Sequence, residues 1–222
     1  MNASLKVDRM LITRGANVLY DESFHSGINI IHGSNGSGKS TLADFLFFGL
    51  GGDITDWRES AERAEEVYLQ ITTPGGILSL LREPSENSSR PMKVYFGPLG
   101  DGLLAEASEW SKLPYKRPEK GLNFSQLLFR YIGIPESISD GVSNITMHQI
   151  LRILYVDQLT PVQRIFRNEN FDTWQTRQAV GHLMAGIGGY DLFERQIELR
   201  TVRKQLDQAK RDYSNLSAMA SA

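Results

Sequence analysis

The stretch GSNGSGKST, residues 33–41, lies between the apolar run INIIH (28–32) and the helix-like LADFLFFGL (42–50). Gly33, Gly38, Lys39 and Ser40 fill the spacing G-x-x-x-x-G-K-[ST], with Gly36 as an extra glycine inside the loop. Residues that lack Cβ atoms let successive backbone N–H groups turn inward around a polyphosphate, so Gly33, Ser34, Asn35, Gly36, Ser37 and Gly38 are read as a cradle. Lys39 then supplies a point charge to the β- and γ-phosphates, which makes it the candidate catalytic cation. The Ser40 hydroxyl is suited to Mg²⁺, and Thr41 adds a hydroxyl and an N–H for a phosphate oxygen. The flanks meet what such a loop requires: a β-branched strand predicted over Ile28 to His32, and a helix predicted over Ser40 to Leu50 whose N-terminus faces the phosphates. ATP with Mg²⁺ is the expected ligand. A chance Gly/Ser-rich turn is the competing reading, and these flanks speak against it.

The chain has 222 residues, enough for one sizeable core or for a core with an appendage. A net charge of -2 and a pI near 6.1 give no global basic signal, so contact with nucleic acid must come from a local patch or a partner. There are no cysteines, which excludes disulfides and thiolate metal sites and suits a reducing compartment. The N-terminal MNASLKVDRM has no apolar leader-like core, and no apolar run approaches about 18 residues. No membrane association and a cytoplasmic location are expected. His25, His148 and His182 show no ligand spacing with one another or with acids, and His32 reads as a strand residue.

Outward from the loop, LKVDRMLITR and NVLYDESF have strand composition and are separated by Gly15-Ala16-Asn17. A polar interval, GGDITDWRESAERAE, follows the loop helix. EVYLQITT and ILSLLRE then flank Pro74-Gly75-Gly76, a hairpin signal, and MKVYF continues the β pattern. Residues 1–99 thus read as a β-rich nucleotide-binding lobe of antiparallel strands. From 100 to 188 the pattern turns helical. Leu103 to Leu113 and Phe124 to Ile132 carry apolar residues at spacings of three and four, with Asn123 or Ser125 as a cap for the second. ITMHQILRILYVDQLTPVQRIF comes next, and a longer helix is expected from near Thr173, capped by Asp172 and pausing at Gly186 to Gly189.

Residues 189–222 are the most regular. Leu192, Leu199, Leu206 and Tyr213 recur at seven, and Val202, Ala209 and Leu216 recur at seven with an offset of three. This is an a/d seam over about three heptads. An amphipathic helix lying on its own core would also fit. Because the heptad is still running at SNLSAMASA, the segment reads as the start of a coiled-coil arm, with 217–222 as an appended tail.

The order of these elements, a β-rich lobe with GSNGSGKST, a helical lobe with LYVDQ, then an outgoing heptad helix, resembles the N-terminal half of the ATPase head of SMC-like coiled-coil proteins. That ABC-type group includes double-strand-break-repair, RecN/RecF-like and bacterial defence ATPases. The resemblance implies an α/β P-loop NTPase fold, in which the other half of the head brings the signature motif and the catalytic acid, and a second head covers the nucleotide. It implies that Gln158 is the Q-loop residue, sensing Mg²⁺ and the γ-phosphate and so joining Lys39 among the catalytic candidates. It also implies ATP hydrolysis only when the C-terminal half and a second head, as in a homodimer, are present, with DNA and accessory subunits as partners. Arg14 and Arg58 are candidates for phosphate or DNA contact beside the alternative of solvated side chains, and Arg63 and Lys116 could extend a DNA-binding patch. The alternative is a self-contained kinase-like enzyme with ILYVD as its acidic strand and Asp157 on Mg²⁺.

Overall fold

The computed structural model describes residues 4–54, 57–84, 90–115, 122–134, 145–156, 174–185 and 189–220. Its centre is a six-stranded sheet in which every neighbouring pair is antiparallel, ordered β2-β1-β3-β4-β5-β6. The strands are β1 (Lys6–Arg14), β2 (Asn17–Ser23), β3 (Glu66–Thr73), β4 (Gly76–Arg82), β5 (Met92–Tyr95) and β6 (Ser111–Leu113). The hairpin expected at Pro74-Gly75-Gly76 joins β3 to β4, and its tight turn uses Gly76 at φ 124, a conformation that glycine reaches without steric cost. Along β3, Val67, Leu69, Ile71 and Thr73 are buried on one side while Tyr68 points to the other, the two-residue alternation of a sheet covered on both faces.

The first face receives α1 (Lys39–Gly49). Its approach is close: a Cβ on Gly49 would lie 2.6 Å from Leu69 Cδ1. The second face is covered by α2 (Leu99–Leu104) and by Trp110, which packs with Leu11, Leu81 and Leu99 against Tyr68 and Tyr95. The Trp110 indole N–H donates to the Gly102 carbonyl at 3.1 Å, which satisfies its polar tip inside this cluster. The helix expected over Leu103 to Leu113 is therefore not what forms. Its apolar residues serve a six-residue helix and a short strand, because β6 finds hydrogen-bond partners along β5.

Two further helices belong to the same compact unit: α3 (Phe124–Ile132) and α4 (Met147–Leu154). Asn123 caps α3 in a reciprocal box with Gln126, at 2.8 and 3.0 Å, and Gly133 ends the helix at φ 88. The Gly75 N–H donates to Tyr131 O at 2.9 Å, which ties α3 to the β3–β4 turn, and Met147 N–H donates to Ser125 Oγ at 3.1 Å. The second unit contains α5 (Trp174–Met184) and α6 (Gly189–Ala220). On α6 the seam residues Leu199, Val202, Leu206, Tyr213 and Leu216 are all more than half exposed. Among the described residues no helix is long and apolar enough to cross a membrane.

Arg82, at the end of β4, is 2 % exposed and plugs the carbonyl end of α1. Its Nη1 donates to Phe48 O at 2.8 Å and Gly52 O at 2.5 Å, and its guanidinium lies between the Phe48 and Tyr115 rings at 3.9 and 4.5 Å. A cation there meets the negative end of the helix dipole. Arg82→Ala is expected to destabilise this unit by about 3 kcal/mol, since it removes two buried hydrogen bonds and opens a cavity. Chemical denaturation followed by tryptophan fluorescence measures this, and a loss below about 0.5 kcal/mol would mean that α1 is held by packing alone.

Candidate functional site

The phosphate loop is built from β-lobe residues that leave β2 and enter α1. Gly38, at φ 86, is the residue before the helix, and Gly36 has φ 78, so both occupy the left-handed region in which a side chain is strained. A Cβ on Gly33 would meet Ser37 Oγ at 2.8 Å, so a larger residue there would turn the Ser37 hydroxyl aside. The turn is closed by Ser37 N–H donating to Ser34 O at 3.3 Å, and the first turn of α1 by Leu42 N–H donating to Gly38 O at 2.9 Å. Lys39 reaches back across the loop, where its Nζ donates to Gly33 O at 2.9 Å and Ser34 O at 2.6 Å, with Ser37 Oγ at 3.5 Å.

These residues fit a polyphosphate. No acidic side chain occupies the first turn of α1, so nothing carboxylate neutralises the positive end of its dipole. Gly33 to Ser37 are exposed, and Lys39 brings the single ammonium of the loop to its mouth. Ser40 is partly buried at the helix start and is the hydroxyl placed to serve a cation, while Thr41, the next residue, is buried. The loop fits Mg-ATP as well through its chemistry: backbone N–H groups and a cation for the phosphates, and a hydroxyl oxygen for a hard metal ion.

The segment feeding the loop departs from expectation. Ile28 to His32 forms no strand; among the described residues none lies beside it to complete a ladder. Ile28 and Ile30 are each 82 % exposed and Ile31 is 41 % exposed. β-branched composition supplies the tendency to extend, and pairing must come from elsewhere.

The remaining sequence candidates separate. Arg14 ends β1 and stands by Glu65, with Nε 3.9 Å from Oε1, next to the turn where Gly15 N–H donates to Glu65 Oε2 at 2.9 Å. Arg58, at the start of a short 3₁₀ turn (Glu59–Arg63), is drawn onto α1, where its Nε donates to Asp44 Oδ2 at 2.8 Å. Arg63 is exposed at the end of that turn. Lys116, Asp157, Gln158 and Asp172 lie outside the described residues. His148 is structural, accepting the Asp53 N–H at 2.9 Å through Nδ1. Two residues not flagged by motif emerge beside the loop helix: Asp44, and Tyr155, whose hydroxyl donates to Asp44 Oδ1. Asp44 stands four residues after Ser40 on α1, and that spacing was the available signal.

Removing the loop cation tests the site. Lys39→Ala is expected to weaken ATP binding at least about tenfold, or about 1.4 kcal/mol, by fluorescent-nucleotide titration. Unchanged affinity would show that the loop is not the nucleotide site.

A family model described as an AAA domain, an AAA-type P-loop ATPase domain found in SMC-like proteins, matches residues 23–221. No curated protein matches the chain. The matched span runs from the end of β2 through the phosphate loop, both units and α6, and with the glycine cradle, Lys39 and the open N-terminus of α1 it assigns a P-loop fold and a nucleotide-binding function: the chain belongs to the AAA domain family.

Proposed function

We propose that the chain is the N-terminal, ATP-binding half of an SMC-like ATPase head, completed by a C-terminal half and paired with a second head when ATP is bound. The observation that carries this reading is the exposed run Ile28, Ile30 and Ile31 leading into the loop. In open α/β sheets the strand preceding a phosphate loop is an interior strand, and its ligand sits beyond the carboxyl ends of its neighbours. Covering each isoleucine is worth about 2 kcal/mol, an incentive for further strands to assemble on this segment. A self-contained enzyme would already have this run inside a sheet, so the exposure speaks against the kinase-like alternative with Asp157.

In this reading Gly33 to Gly38 hold the phosphates by backbone N–H groups, Lys39 stabilises charge on the γ-phosphate, and Ser40 and Gln158 hold Mg²⁺. Bound Mg²⁺ would supply charge neutralisation across the β- and γ-phosphates. Arg58 and Arg14 are further contacts for the same phosphates. ATP binding engages the two heads, hydrolysis releases them, and the α6 arm carries the change outward. Its exposed seam is what a pairing helix would cover. The work is done on DNA in the cytoplasm, in repair, chromosome organisation or defence, with contacts from Arg58, Arg63 and Lys116 that weaken as salt rises.

Two measurements test the proposal. The 222-residue chain should bind ATP yet release phosphate at the background rate; steady release abolished by Lys39→Ala would favour the self-contained enzyme. Amide exchange across Leu199 to Leu216 should be fast in a monomer, because a lone helix exposing its seam gains little from packing. Strong protection in a monomer would place that helix in a core and remove the arm.

A further inference from the structure

Asp44 lies one helical turn beyond Ser40, so the two share a face of α1 at positions i and i+4. It is 9 % exposed, and its two oxygens hold two separate stretches of chain. Oδ2 accepts from Arg58 Nε at 2.8 Å, and Oδ1 accepts from the Tyr155 hydroxyl. Both partners are themselves anchored to the same helix. Trp57, the residue before Arg58, packs on the Phe45 and Phe48 rings at 5.5 and 4.8 Å, and Ala61 N–H donates to Arg58 O at 2.7 Å. The Tyr155 ring lies 4.9 Å from that of Phe47, and Tyr155 N–H donates to Leu151 O at 2.8 Å. Tyr155 stands three residues before Gln158.

A buried carboxylate between a guanidinium and a phenol is a costly way to gain stability, because desolvation offsets most of the attraction. Its value lies in geometry. Held by Nε, the guanidinium has its plane and direction set instead of sweeping through the rotamers of an exposed arginine. Held by its hydroxyl, Tyr155 braces the carboxylate from its other oxygen. Both are thereby referenced to α1, whose N-terminus begins at the phosphate loop.

We propose that Asp44 is the positioning residue for the terminal phosphate: it sets Arg58 and Tyr155 relative to the phosphate loop, so that the site distinguishes a nucleoside triphosphate from a diphosphate. The proposal rests on the nucleotide site and on Arg58 as a phosphate contact, as set out above. Asp44 touches neither phosphate nor metal in this role; it acts through Arg58, with Tyr155 bracing the carboxylate. The loop binds the α- and β-phosphates without it, and the preference for a third phosphate depends on it.

Asp44→Asn tests this, since the amide keeps the shape and can bond to both neighbours while removing the charge that orients Arg58. Titration of the 222-residue chain with Mg-ATP and Mg-ADP should show ADP affinity within about twofold of the unsubstituted chain and the ATP-over-ADP ratio lowered about tenfold, or about 1.4 kcal/mol. Arg58→Gln should lower the ratio alike, and the double substitution should lower it no further than Arg58→Gln alone, the signature of two residues acting as one unit. Asp44→Glu should recover part of the preference. An unchanged ratio in folded Asp44→Asn, or losses that simply add, would overturn the proposal. If Asp44→Asn does not fold, Arg58→Gln and Tyr155→Phe decide: both must lower the ratio, and failure of either overturns it. Lys39→Ala separates the two levels of inference. Unchanged nucleotide binding in that variant defeats the phosphate-loop reading and this proposal with it, whereas lost binding there beside an unchanged ratio in Asp44→Asn defeats the positioning role alone.

Discussion

Everything around the candidate site is referenced to one helix, and that helix is fixed at its far end by the buried guanidinium of Arg82. Two carbonyls at the end of α1 accept from it, and two aromatic rings sandwich it. Gly49 lets the helix sit against Leu69 at a distance no larger residue allows. With its C-terminus pinned to β4 and its flank to β3, α1 has one direction available, which carries its N-terminus to the glycine loop. Asp44, Phe45, Phe47 and Phe48 then serve as fixed points along the same rod, against which Trp57, Arg58 and Tyr155 are placed.

The parts legible in the sequence are those dictated by local chemistry. A glycine loop at Gly36 and Gly38, a turn at Gly76 and a cap at Asn123, one of the two caps expected, are each decided within a few residues, and each is found. The strands through Tyr95 follow from β-branched alternation and clear turns. What was not legible depends on residues far away in the chain. Ser111–Leu113 is a strand because β5 offers it a ladder, and its three residues carry no periodicity of their own. Ile28 to His32 has strand composition but no neighbour among the described residues. Arg82 reads as the polar end of a strand, and only the packed fold reveals that it is buried at a helix terminus. A lone acid such as Asp44 on an apolar helix reads as solvated until its two partners, 14 and 111 residues away, are seen.

The site combines rigidity with openness. Its backbone cradle and loop helix are set by glycines and buried contacts, whereas Gly33 to Ser37 and the run leading to them face outward. Binding a polyphosphate asks only for the former. Affinity for a polyphosphate therefore rests on the part of the site that glycines and buried contacts hold fixed.

The order of strands carries a consequence for biogenesis. β3, β4, β5 and β6 are adjacent in both the chain and the sheet, and β1 pairs with β2 through a two-residue turn. Only the β1–β3 pairing spans a long stretch, and that stretch contains the phosphate loop and α1. Sheets assembled from sequence neighbours close early, because little loop entropy stands in the way. During synthesis on a ribosome the meander can therefore zip up once Leu113 has emerged, clamping the loop and its helix into place by the single β1–β3 closure. The sheet against which the loop helix packs is then paired before the residues of α6 are made.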